Sequence, residues 1–333
     1  MRVRITGHNG ESCFPFEDRT YWLEFKNSLE KFGFEIVEEE YGSKVDALIA
    51  MGFAKMALGE AKLNHLTREK RVLIVWEPPC ASKRLHSSLY QKNFGVIAVP
   101  NPHWSKVENF VTFIWPQESF SEEIESFSEW NLRLPRIIFM QGNKLSFHKN
   151  ELYSLRRTVI GGRLASHIDI FGFGWNSHKI DLIMILLRKF LPHPTLSRFL
   201  RHSQLFFATF INYQGESSNK MLTSQNYQIA LVIENSPDYT SEKLFEASRA
   251  GNLVIYVGNF LENYKNEAKF LNIEPNEEAI NIALQEALSM SPILRFQTMI
   301  EQQQILKRQQ VFLEYGNPMK DLATKLSVIL HAD

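Results

Sequence analysis

The chain has 333 residues, 44% of them apolar and 22% charged. That is the composition of a soluble globular protein of roughly two domains, and it excludes a disordered or fibrous chain. Lysine plus arginine and aspartate plus glutamate balance at 37 each, so no overall field favours nucleic acid and any recognition by charge must be local.

The N-terminal MRVRITGHNG enters a strand-like alternation directly, without the apolar core of a signal peptide. Cys13 and Cys80 form no C-x-x-C, which fits a reducing compartment. The longest apolar run, 182–187, is too short to span a bilayer. A cytoplasmic protein is expected.

The first hundred residues alternate short apolar strands with helical patterns. Strands are expected at 3–6, 34–39, 46–51, 72–76 and 95–99. Trp22, Phe25, Leu29 and Phe32 follow helical spacing, and Gly33 stands where that helix stops. Gly7-His8-Asn9-Gly10 looks like a phosphate loop but lacks the glycine spacing and the lysine of one, so a turn on the acceptor side is expected. The acidic, serine-rich segment 117–130 can bury little and is taken as the connector. It closes a first domain, 1–130, and opens a second, 131–333.

The alternation then restarts. Strands are expected at 136–141, 167–174, 227–234 and 252–258, with helices at 151–160 and 240–250. Between them, 179–205 carries five Lys/Arg against one Asp among aliphatic residues. Such a stretch could lie on an anionic membrane, though a core helix followed by a basic surface helix explains it more simply. Beyond 275 the pattern is helical, with Pro292, Gly316 and Pro318 as breaks. Two successive parallel α/β arrays place the carboxyl ends of two sheets at a cleft that could hold two reactants.

One stretch stands out: ALVIENSPDYTSEKLFEASRAG, 230–251. A strand buried on both faces ends on Glu234-Asn235, and the next helix opens on Ser241, Glu242 and Lys243. A helix start offers unpaired N–H groups to an anion, and a lysine there opposes the helix dipole. Residue by residue, ordinary capping explains the same composition.

The pattern E-N-S-x-D-Y-x-S-E-K resembles the signature of glycosyltransferase family 10, the α-1,3/1,4-fucosyltransferases, which reads approximately F-E-N-S, a short loop, then D-Y-V-T-E-K. Glu234-Asn235-Ser236, Asp238-Tyr239 and Glu242-Lys243 match, with Ala250-Gly251 and a strand ending at Gly258 following in place. Lys220 and Tyr227 resemble the family's approach to this strand. Ile233, Thr240, Ser241 and a shorter loop after Ser236 depart from it. The segment 151–172 resembles the family's arginine-led helix and following strand, which puts Arg156, or else Arg157, at the phosphate-binding arginine. VLIVWEPP, 72–79, resembles the strand that carries the catalytic base, here Glu77.

The resemblance implies an α/β GT-B architecture: two Rossmann-like domains facing a cleft, with C-terminal helices. It implies an inverting transferase that moves fucose from GDP-fucose to a glycan hydroxyl, of the N-acetylglucosamine or lipopolysaccharide kind. Glu77 would be the base. Arg156 and Lys243 would hold the diphosphate, with Glu234, Asn235, Tyr239, Ser241 and Glu242 around the sugar and ribose. No D-x-D and no H-E-x-x-H occurs, so no metal or other cofactor is expected. Partners would be the nucleotide sugar and a glycan, with no nucleic acid and with 179–205 as the candidate contact to the inner membrane. A transferase for another nucleotide sugar, or a non-catalytic binder of one, are the alternatives.

Overall fold

In a computed structural model of the chain, the described residues are 1–6, 20–38, 42–52, 55–113, 125–175, 210, 212–259, 269–314 and 318–331. They divide into two compact units, one of 1–119 with 308–333 and one of 120–307. The loop 7–10, Cys13 and the basic stretch 179–205 lie outside the described residues, as does most of the expected connector.

The first unit is built on a parallel six-stranded sheet. Its strands are β1 (Arg2–Thr6), β2 (Glu35–Ile36), β3 (Ala47–Met51), β4 (Arg71–Ile74), β5 (Val96–Val99) and β6 (Phe110–Thr112), in the order β2-β1-β3-β4-β5-β6. The central ALIAM of β3 is buried throughout, because helices cover both faces of a parallel sheet. The helices of this unit include α1 (Thr20–Lys31), α2 (Lys55–Leu63) and the short α3 (Ser88–Gln91). Strand β6, absent from the sequence expectation, is a three-residue edge strand whose Phe110 is exposed. An edge strand this short carries little periodic signal.

The second unit repeats the scheme. A short capped helix, α4 (Phe127–Trp130), leads into β7 (Leu134–Met140). Then come α5 (Tyr153–Ile160), β8 (Ile168–Phe171), β9 (Tyr213–Gly215), α6 (Lys220–Ser224), β10 (Tyr227–Ile233), α7 (Glu242–Arg249) and β11 (Leu253–Val257). The sheet order is β11-β10-β7-β8-β9, all parallel. The chain lays down β7, β8 and β9 in one direction, then returns to place β10 on the other side of β7. The carboxyl ends of β7 and β10 therefore flank the topological switch point, where open α/β sheets bind ligands.

Helices α8 (Glu277–Ser289) and α9 (Pro292–Glu314) follow. Asn276 caps α8 by accepting the Ala279 amide at 2.8 Å. The last helix, α10 (Pro318–His331), departs from the expectation that the tail belongs to the second domain. Its Met319, Leu322, Ala323, Leu326 and Leu330 are buried with Phe25 and Leu29 of α1 in the first unit's core. Lys70 donates to the Leu330 carbonyl at 2.7 Å, and His331 stacks on Phe34. An apolar stripe at helical spacing shows that a face is buried, but not against which sheet. No helix among the described residues is long and apolar enough to cross a membrane.

Candidate functional site at the strand ends of the second unit

Strand β10 is apolar from Tyr227 to Ile233 apart from Gln228, and it is buried along its whole length. Its next residue, Glu234, is 0% exposed. A carboxylate in such a place must be paired and hydrogen-bonded to stay ionised. The start of α7 does this. The Ser241 amide donates to Glu234 Oε1 at 2.8 Å, and the Ser241 hydroxyl lies 2.8 and 2.9 Å from the two oxygens. Lys243 Nζ sits 3.1 Å from Oε2 and 2.6 Å from Ser241 Oγ. Tyr256 OH donates to Oε1 from β11 at 3.4 Å. So the odd composition of the stretch has a local cause: a buried acid at a strand end is met by the hydroxyl and the ammonium that open the next helix, and β11 adds a phenol.

Lys243 keeps 22% of its side chain exposed and is the open member of this network. Burial pulls its ammonium down, but the charges of Glu234 and Glu242 outweigh burial and the net direction is up, so it is charged at neutral pH. Burial, reinforced by Glu234, pushes the Tyr256 phenol well up and keeps it a neutral donor. An ammonium has three protons, and the Glu234 and Ser241 contacts use two of them.

Arg156 reaches the same strand end from α5. Its guanidinium, in a side chain only 2% exposed, donates to the Ile233 carbonyl through Nε at 3.0 Å and Nη2 at 2.5 Å, and to Asn235 Oδ1 at 2.8 Å. It also lies 4.8 Å from the centre of the Tyr153 ring. The Leu152 amide, just before α5, donates to the Asn235 carbonyl at 3.1 Å and ties the two loops together. Arg157 points elsewhere, to Asn143 Oδ1 at 3.2 Å and the Lys144 carbonyl at 2.6 Å. Of the two adjacent arginines, Arg156 is the one at the end of β10.

The expected site residues of this unit thus gather around one junction. Glu234, Asn235, Tyr239 and Ser241 are buried there, while Glu242 and Lys243 are half-buried. Glu234 meets protein groups on both oxygens: the Ser241 amide and hydroxyl, Lys243 and Tyr256. Glu77 belongs to the first unit, three residues past β4, half-buried, with its carbonyl 2.8 Å from His86 Nε2. Sequence reading missed Gln141, whose side chain accepts the Ile233 amide at 3.4 Å and bridges the ends of β7 and β10. Its Nε2 has no partner and is buried. A glutamine ending a central strand, followed by Gly142-Asn143, was the available signal. Tyr256 was missed because its strand reads as plain core. Among the described residues no three His, Cys, Asp or Glu side chains group as a metal site requires.

No family model matches the chain, and no curated protein matches it. Solved structures do match in fold. An alpha-glucosyltransferase solved with UDP and a 13-mer DNA containing an A:G mismatch aligns with a TM-score of 0.54 at 12% identity, over 92% of this chain and 95% of that one. The T4 phage beta-glucosyltransferase aligns with a TM-score of 0.52 at 13% identity, over 98% and 99%. An alpha1,3-fucosyltransferase aligns with a TM-score of 0.50 at 12% identity, over 90% and 80%. At such identities the likeness speaks for the fold alone: the chain has the two Rossmann-like domains of the GT-B fold.

Proposed function

We propose that the protein is an inverting glycosyltransferase that takes its sugar from a nucleoside diphosphate donor, GDP-fucose, and transfers it to a hydroxyl of a glycan. The observation that carries this reading is the convergence of two cations, Arg156 and Lys243, on the end of β10 at the switch point. The E-N-S…D-Y…E-K pattern supports the choice of fucose, and the fold supports glycosyl transfer as the class.

Chemically, the acceptor oxygen attacks the anomeric carbon while the bond from that carbon to the diphosphate oxygen breaks. Negative charge grows on the leaving diphosphate, and in this reading the Lys243 ammonium and Arg156 guanidinium stabilise it. Glu77 takes the acceptor proton. Asn235, Tyr239 and Glu242 contact the sugar and ribose, with Glu234 and Ser241 holding Lys243 in place. A second reading keeps the diphosphate site and changes the donor: the alpha-glucosyltransferase of the same fold was solved with UDP.

A panel of GDP- and UDP-sugars in a hydrolysis and binding assay tests this. GDP-fucose is expected to be bound and turned over, and the Glu77→Ala protein is expected to bind it without turnover. Preference for a UDP-sugar transfers the case to the second reading. Binding of no nucleotide sugar removes both.

A further inference from the structure

The loop after β8 presents an aromatic ring at the same edge of the sheet. Phe173 is 50% exposed, yet it is held at both sides. Its carbonyl accepts the Asn143 amide at 2.9 Å, and Asn143 Nδ2 donates to the Gly174 carbonyl at 3.0 Å. Gly172 and Gly174 flank it at φ of 123° and 82°, conformations that side chains rarely adopt. The ring also lies close against Gly142, where an added Cβ would meet its Cε1 at 2.4 Å. The loop thus keeps half of an aromatic ring accessible on a backbone fixed by its neighbours.

Its place in the sheet says what it is for. Phe173 follows β8, which neighbours β7, and the two cations gather at the end of β10 on the other side of β7. Adjacent strands lie about 4.8 Å apart, so two spacings, roughly 10 Å, separate β8, which Phe173 follows, from β10, at whose end the two helix-borne cations gather. That is the reach of a nucleoside diphosphate from its base to its far phosphate. Lys144 Nζ lies 5.9 Å from the ring centre, a loose contact that a planar base can replace, and the ammonium then sits beside the base.

We infer that Phe173 is the stacking platform for the nucleobase of the donor, with Lys144 at the base edge. The inference rests on the nucleotide-sugar reading above and adds the place and the chemistry of base recognition.

The test compares GDP with pyrophosphate, which has no base, by calorimetric titration of the wild-type, Phe173→Ala and Phe173→Trp proteins, with thermal melting as the check on folding. Removing a stacking aromatic costs about 1–3 kcal/mol, so GDP affinity is expected to fall by a factor of about 5 to 150 in Phe173→Ala. Pyrophosphate affinity is expected to stay unchanged, and Phe173→Trp to recover GDP binding. Equal GDP affinity in wild type and Phe173→Ala overturns the inference while leaving the nucleotide reading intact. Equal losses for GDP and pyrophosphate also overturn it, because the ring then acts through the phosphate site. A wild-type protein that binds pyrophosphate and GDP equally well has no base site and overturns it too. If the wild type binds neither, the nucleotide-sugar reading itself is refuted.

Discussion

Gly258 shows how tightly the network around Glu234 is packed. A Cβ added there would stand 2.7 Å from Glu234 Cγ and 2.5 Å from Tyr256 OH, closer than atoms approach in folded proteins. Its neighbours cannot yield cheaply, because Glu234 is fixed by Ser241 and Lys243. Gly258→Ala is therefore expected to lower stability by about 1–3 kcal/mol, as overpacking does. Thermal unfolding measures it, and an unchanged midpoint would show that the strand end has slack. At this scale the sequence was legible in part. The acid, the cap and the ammonium stand within ten residues of one another and announce themselves. Gln141 and Tyr256 come from other strands, and only pairing in the sheet brings them to Glu234 and Ile233.

Three strands meet at a polar patch that periodicity alone does not foresee. Arg136 of β7 grips Asp169 of β8 through Nε at 2.8 Å and Nη2 at 2.6 Å, and the Tyr227 phenol at the start of β10 bonds to the same carboxylate. Burial first, then the Asp169 charge, pushes Tyr227 up to about 12 from its ordinary 10.0. Below pH 10 the phenol is protonated in both folded and unfolded chains and contributes no pH dependence. Between pH 10 and about 12 the unfolded chain loses this proton while the folded one keeps it. Stability should then fall by about 1.4 kcal/mol per pH unit from this group alone. Denaturant unfolding from pH 9 to 12 is expected to show the fall, and Tyr227→Phe to make it shallower. Lys243 and Tyr256, both raised, act in the same direction and keep the slope from vanishing. An identical slope in Tyr227→Phe would remove the phenol from this account. The long strands β7, β8, β10 and β11 were readable as apolar runs. Strands β6 and β9, three residues each, were not, because so few residues establish no period.

The described residues form two sheets of different strand order, each with its switch point: between β1 and β3 in the first unit and between β7 and β10 in the second. Doubly wound architecture was legible because strands alternated with helix-length segments twice over. The return of 318–331 to the first unit was not, since its apolar stripe suits either core. The pair of cations at the end of β10, proposed above as the diphosphate site, admits a direct test. Removing Lys243 alone would strand the buried Glu234 carboxylate, at a cost of about 3–5 kcal/mol that would confuse binding with folding. The double variant Glu234→Gln/Lys243→Met removes both charges together and avoids this. Calorimetric titration of GDP into the wild-type and double-variant proteins then reads the site itself. Affinity at least a hundredfold weaker in the variant, with folding retained, is the predicted result. Equal affinity in the two proteins would contradict the account, because the diphosphate would then bind elsewhere.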